Sequence, residues 1–594
     1  MGGRGTAYFQ NDGRIYTPAH HYVGKAATLI VAASNSMSKE LADYVCDGIA
    51  DNVEIQAAID ALPAGGGKVL LLEGNFSLTT SIDPCSGLEL RGQGPATVLT
   101  WDGADGGAII ADSGAPDDIR ITDMKFDMNA KGFIQINGGG SRIRIDHLNV
   151  TGGKLNQATI YVGSCDQVEI DHNIIDGTNG DLAISGFTCD DVNIHDNIGV
   201  NGLAQSFISI GSSSDTVCYR NLVSNNIANG WGTGLDIYGN IDDVIVSGGY
   251  FEGSVNDGIE VHLGGATYYP KRVSIIGTQV KNCGRYGLHA EMHATEGVLL
   301  VDGFRSYNST NSGIRVETSG KMLKVSDTIV NVTGGATPGI EIYIIDFVEL
   351  ESVTVMNAGG TGIFLASTVT FAKILNTFAY SCGNNGIRTD VPGTVIVGGE
   401  IIDNGDNGID IHGVDHCIVE GVRITDTRAP GSKTQDYGIG DFSGASYSTF
   451  KGNNTIGNRL GGINIAGSSN AFDQIPRSTA LSLIGGATDV EVFHATRPCY
   501  LVGYTVLYNV ATGAGAGVNI RVGRYQDGVA LDDDHFDVSV SEINKAKGYA
   551  KHFITTDLTN KIIATGDTVT AGTAGGKADT GEVIVILEIA EMAD

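Results

Sequence analysis

The sequence predicts an all-β protein: a right-handed parallel β-helix solenoid followed by a C-terminal antiparallel β-sandwich. Three observations carry this. A short apolar phrase recurs at steps of about 25 residues, a spacing in the solenoid range. Glycine occurs 85 times and proline 11 times among 594 residues, which suits many tight turns and excludes a collagen-like chain. Apolar residues alternate at period two between the phrases, and no helical period intervenes.

Residues 1–45 read as an N-terminal extension. Their opening, MGGRGTAYFQNDG, lacks the apolar stretch of a signal peptide and reads as a tag-like end rather than a lipid anchor. His20 and His21 have no visible partner there. Residues 51–62 then read as a short amphipathic helix. Asp51 and Glu54 suggest a capping box, Ile55, Ile59 and Leu62 share one face, and Pro63 stops the run. Such a helix would cover the open first coil, as solenoid ends require.

The solenoid itself is expected over residues 46–477. Its phrase is a small residue, an apolar anchor, any residue, then another apolar residue. It runs from TIYV (159–162) through DLAI (181–184), FISI (207–210), GLDI (234–237), GIEV (258–261) and GLHA (287–290). GIRV (313–316), GIEI (339–342), GIFL (362–365), GIRT (386–389), GIDI (408–411), GIGD (438–441) and GINI (462–465) continue it. Alternating runs such as VEIDHNIIDG (168–177) supply further strands in each coil. Cys165 and Cys189 recur 24 residues apart, as small buried groups stacked in successive coils would.

The segment ADNVEIQAAIDALPAGGGKVLLLEGNFSL (50–78) resembles the opening of the pectate-lyase-like β-helix superfamily. That superfamily includes polysaccharide lyases, polygalacturonase-type glycoside hydrolases and phage tailspikes. The resemblance spans about residues 45–475 and implies the fold more specifically than the chemistry. The Asp-Pro-His motif of alginate epimerases is missing, which weakens that branch. The resemblance also implies an extracellular or virion-associated protein and, with the expected shape, a homotrimer. Past residue 477 the repeat stops. Runs such as GVNIRVGRYQDG (517–528) and GEVIVILEIAEM (581–592) read as strands of a separate sandwich, 478–594, which resembles oligomerisation or carbohydrate-binding modules of phage tail proteins. A cap on the last coil is the alternative.

The net charge of −31 argues against nucleic acid and against anionic membranes, and no run of 18 apolar residues suggests a transmembrane helix. Nine cysteines without C-x-x-C spacing give no disulfide or zinc framework. AGTAGGKAD (571–579) lacks the first Gly and the Ser/Thr of a phosphate-binding loop. No cofactor is expected, with Ca²⁺ left open.

The residue after each anchor points outward, as does the one two further on, so stacked coils make columns. The first column reads Tyr161, Ala183, Ser209, Asp236, Glu260, His289, Arg315, Glu341, Phe364, Arg388, Asp410. The second reads Gly163, Ser185, Gly211, Tyr238, His262, Glu291, Glu317, Tyr343, Ala366, Asp390, His412. Carboxylates, histidines, Arg and Tyr gather abruptly in the middle coils. Crowded carboxylates push one pKa upward and so create the acid–base pair that glycoside hydrolysis needs. Asp236 and Glu260 are the expected catalytic pair, with Glu291 as substitute. Trp231, Tyr238, His262, Tyr268, His289, Arg315, Glu317 and Tyr343 are expected to bind substrate. In a uronate lyase, Tyr238 or His262 would instead abstract the C5 proton while Arg315 neutralises the carboxylate, and Ca²⁺ would sit on Asp236, Glu260 and Glu291. The remaining alternatives are a non-catalytic glycan-binding fibre and plain solvated charges. Asp403, Asp406, Asp410 and His412 resemble a calcium turn only weakly, since Asn, Asp and Gly are usual at coil corners.

Overall fold

The computed structural model describes residues 27–465, apart from 112–113, 178–181, 203–204, 265–266, 319, 333–334, 442 and 456, together with backbone strands on either side of that span. It is a right-handed parallel β-solenoid. The chain divides into two compact units, residues 1–255 with 262–270, and residues 256–261 with 271–594.

In the first unit parallel pairing starts earlier than the expected boundary at residue 46. Thr28–Ala32 already pairs with Gly67–Leu71. The helix Asn52–Asp60 buries Ile55, Ala58 and Ile59. Its capping box does not form: Asp51 is itself helical (φ −60°, ψ −10°) and makes no side-chain bond to the first turn. Its buried carboxylate accepts instead from the backbone N–H groups of Gly48 and Ser77, each at 2.8 Å, which ties the helix start to the neighbouring coil. Glu54 Oε2 has no partner.

One ladder of this unit runs Ile109–Ala111, Ile134–Asn137, Ala158–Gly163, Leu182–Phe187, Ser206–Ser212 and Thr233–Gly239. The anchors Ile160, Ile184, Ile208 and Leu235 align in register and are fully buried. One coil differs from the sequence reading. Its anchor is Ile184, not Leu182, so Ser185 and Phe187 hold the outward places expected for Ala183 and Ser185. The corners between the other strands are held by side chains. Asn173 donates to Asn197 Oδ1 at 2.9 Å, and Asn197 to Asn226 Oδ1 at 3.0 Å, all three buried. Each also donates to a backbone carbonyl of an adjacent coil, satisfying groups that the turning chain cannot pair with itself. Cys165 and Cys189 do stack: the Cys165 N–H lies 3.3 Å from Cys189 Sγ. All cysteines among the described residues are free.

In the second unit the anchors Ile259, Leu288, Ile314, Ile340, Ile363, Ile387, Ile409 and Ile439 align the same way, fully buried. The last parallel pairing joins Thr449–Lys451 to Ala471–Asp473. Later strands are antiparallel and form two sheets, one built on Cys499–Tyr508 and Val583–Glu591, the other on Gly517–Gln526 and Val529–Ser541. The expected sandwich packing of 478–594 lies outside the described residues. No helix among the described residues is long and apolar enough to cross a membrane.

Candidate active site

Strand alternation turns the residue after each buried anchor outward. In the first unit this column reads Tyr161, Ser185, Ser209, Asp236. Asp236 accepts from Ser209 Oγ at 2.9 Å and lies 2.8 Å from His262 Nε2. The His262 ring stacks on Tyr238, with centroids 6.0 Å apart. Burial, and then the charge of Asp236, push the Tyr238 hydroxyl well above the ordinary phenol range. Tyr268 donates its hydroxyl to Asp215. Trp231 corrects the expectation of a sugar platform. It is fully buried against Phe207, with ring centroids 5.4 Å apart, and faces the interior. Gly202 makes room for it, since a Cβ there would stand 2.0 Å from the indole.

The second unit holds a denser cluster. Its outward column runs Glu260, His289, Arg315, Glu341, Phe364, Arg388, Asp410, Gly440. His289, almost buried, sits among three carboxylates. Its Nδ1 is 3.7 Å from Glu260 and 3.8 Å from Asp257, and its Nε2 is 3.3 Å from Glu317. Neither ring nitrogen is in a formed hydrogen bond. Burial works to lower the imidazole pKa, but Glu260, Asp257 and Glu317 together raise it above the ordinary value, favouring the imidazolium.

Asp257 is fully buried and accepts from Arg285 Nε at 2.9 Å, from Arg285 Nη2 and from the Tyr286 backbone N–H. Arg285 also donates to Glu260 at 3.0 Å. Arg315 pairs with Glu317 and, at 2.9 Å, with Glu341, and it faces the rings of Tyr286 and Tyr343 at 5.3 and 5.2 Å. Glu341 also accepts from Ser312 and from the Tyr343 hydroxyl. Burial opposes ionisation of Glu317, but Arg315 and His289 hold its carboxyl below the usual range. Glu291 carries a buried Oε2 with no partner. A β-bulge after Ala290 pairs Glu291 with Thr318, so Glu291 and Glu317 do not stand in line as a simple column requires. One ligating atom from each of His289, Glu291 and Glu317 still falls within 4.8 Å of the others.

The structure thus brings together Glu260, His289, Glu291, Arg315, Glu317 and Tyr343. Asp236, Tyr238, His262 and Tyr268 belong to the first unit and have their own partners. Sequence reasoning missed Asp257, Arg285 and Tyr286. The signal for two of them was available. Asp257, Tyr286, Ser312, Asn385 and Asn407 all stand two residues before an anchor, a third column at the coil corner. From there the side chain reaches the outward residue of the next coil, as Asp257 reaches His289 and Ser312 reaches Glu341.

No family model matches the chain, and no curated protein matches it. Solved structures similar to it include the tailspike gp49 from Pseudomonas phage LKA1, with TM-score 0.41 and 12% identity over 90% of this chain and 92% of that one. A mutant tailspike of E. coli bacteriophage HK620 in complex with a pentasaccharide gives TM-score 0.37 and 12% identity over 98% and 96%. The Azotobacter vinelandii mannuronan C-5 epimerase AlgE4 A-module gives 0.28 and 15% over 72% and 97%. These are likenesses of fold.

Proposed function

We propose that the second unit hydrolyses a polysaccharide, with Glu317 as the ionised carboxylate and Glu291 as the proton donor. The observation that carries the reading is two unlike carboxylates beside one imidazolium. Arg315 and His289 keep Glu317 ionised, whereas Glu291 has a buried oxygen bonded to nothing. One oxygen of each lies within 4.8 Å of one of the other, a spacing compatible with a double displacement, whose carboxyl groups stand about 5–5.5 Å apart. Glu317 would attack the anomeric carbon as Glu291 gives its proton to the leaving oxygen. Water would then cleave the glycosyl ester and return a proton to Glu291. Tyr286 and Tyr343, on either side of Arg315, offer flat faces to a sugar ring.

The expected pair Asp236 and Glu260 supports this chemistry less well, because His262 and Arg285 already engage them. Support for a lyase is weaker too. Tyr238 is held protonated and Arg315 is saturated by two glutamates. A Ca²⁺ ion on Asp236, Glu260 and Glu291 is less well supported, since His262 and Arg285 already engage the first two. Homotrimeric assembly and a virion-associated or extracellular setting belong to the same reading, and light scattering would test the first. Product analysis on a polysaccharide panel tests the chemistry: new reducing ends without an unsaturated chromophore support hydrolysis, and unsaturated products reject it.

A further inference from the structure

A cleft of about 510 Å³ lies at a coil corner of the second unit, lined by Ser381, Gly383, Asp403, Gly405, Arg428 and Thr434. An insertion builds its wall. The anchors Ile387, Ile409 and Ile439 stand 22 and then 30 residues apart, and the longer coil lays residues 427–434 against the coil before it. Asp426, almost buried, pins both ends of this loop. It accepts from Arg428 Nε at 2.8 Å and Nη2 at 2.7 Å, and from the backbone N–H groups of Thr434 and Gln435, each at 2.9 Å. Thr427 donates its backbone N–H and its hydroxyl to Asp403 on the coil before. Thr434 Oγ1 and Arg428 Nη2 donate to the Asn404 carbonyl at 2.8 and 2.7 Å. Gly383 and Gly405 leave the floor bare, because a Cβ on either would collide with a carbonyl of the preceding coil. Ser381, Gly383 and Thr434 are exposed, so the cleft opens to solvent.

We infer that this cleft binds a neutral mono- or disaccharide unit, at a site sharing no residue with the Glu291–Glu317 pair. The choice of a saccharide rests on the polysaccharide reading above. The volume falls in the range of about 300–1,000 Å³ usual for small-ligand sites. Its open polar groups are of both kinds. The Ser381 hydroxyl has no hydrogen bond to the described residues and can donate or accept. Arg428 Nη1 takes part in none of the bonds that hold the guanidinium, and the side chain is 31% exposed, so its N–H groups are donors on a fixed plane. The Asp403 carboxylate and the Thr434 hydroxyl keep lone pairs with which to accept. Donors and acceptors side by side suit sugar hydroxyls, each of which does both. Charge disfavours other ligands. Asp426 neutralises Arg428, which leaves Asp403 to repel an anion. A Ca²⁺ ion would find one carboxylate beside a guanidinium, far short of the six to eight or so oxygens it takes.

The test uses the full chain carrying Glu317→Gln, so that nothing is cleaved, and measures equilibrium binding of neutral mono- and disaccharides and, separately, of inorganic phosphate and of Ca²⁺. At least one saccharide should bind. Ser381→Ala should weaken it about threefold to tenfold, and Asp403→Asn at least about tenfold. Ser381→Ala removes a hydroxyl that no described residue uses, so its effect cannot come from a loosened loop. Saccharide binding unchanged in both variants, or no saccharide binding, overturns the inference. Phosphate binding that is lost in Arg428→Lys overturns it in favour of an anion site. Ca²⁺ binding that is lost in Asp403→Asn overturns it in favour of a cation site. The hydrolase reading stands or falls separately, on whether the native chain releases reducing ends from a polysaccharide.

Discussion

His289 Nε2 stands 3.3 Å from Glu317 while its Nδ1 faces Glu260 at 3.7 Å, so one nearly buried imidazole is shared by carboxylates from the coil below and the coil above. The pair His289–Glu317 links the geometry of the cluster to its pH behaviour. Burial disfavours the charged ring, yet Glu260, Asp257 and Glu317 raise its folded pKa. A raised pKa stabilises the fold fully below the unfolded value of about 6.5 and loses that stabilisation as pH rises through the folded value. Urea midpoints of the native chain should therefore fall across that window, and those of His289→Gln should not show this fall.

Asp257→Asn should destabilise the second unit by about 1–3 kcal/mol. The carboxylate is fully buried, and its loss leaves Arg285 without its two-pronged partner. Urea denaturation at neutral pH measures this. A variant as stable as the native chain would mean that solvent replaces the carboxylate.

Arg315→Lys should lower kcat more than it raises KM. A guanidinium bridges Glu317 and Glu341 while lying on two tyrosine rings, and an ammonium cannot do all of this at once. Steady-state kinetics on the active polysaccharide would separate the two effects.

Trp231→Ala should cost about 3–5 kcal/mol through the cavity it leaves, and Trp231→Phe less. Neither should change which glycan binds, because the indole is interior. Thermal denaturation and the glycan array together check both halves.

Much of this was legible beforehand. A glycine followed by one buried aliphatic per coil fixed the anchors, because every coil must put an apolar residue at the same interior place. The outward residues Glu260, His289 and Arg315 followed by alternation. Period two alone cannot choose between Leu182 and Ile184, which share a face, so that frame slipped by two residues. Nor can alternation show the bulge after Ala290, which is a local departure from it. Trp231 turns inward because Gly177, Gly199 and Gly202 from other coils open space for it, a fact of stacking rather than of its own coil. Asp257 was missed for a related reason: it lies at a corner, before the strand alternation begins, so only the corner column two residues before each anchor points to it.

The most direct measurement is hydrolysis of an active polysaccharide by the native chain, Glu317→Gln and Glu291→Gln, with reducing ends and unsaturated products both quantified. The native chain should release reducing ends only. Each variant should lose at least about a hundredfold in kcat while remaining folded, Glu291→Gln because positioned proton transfer is lost and Glu317→Gln because the attacking carboxylate is lost. Full activity in both folded variants, or an unsaturated product from the native chain, would contradict the assignment.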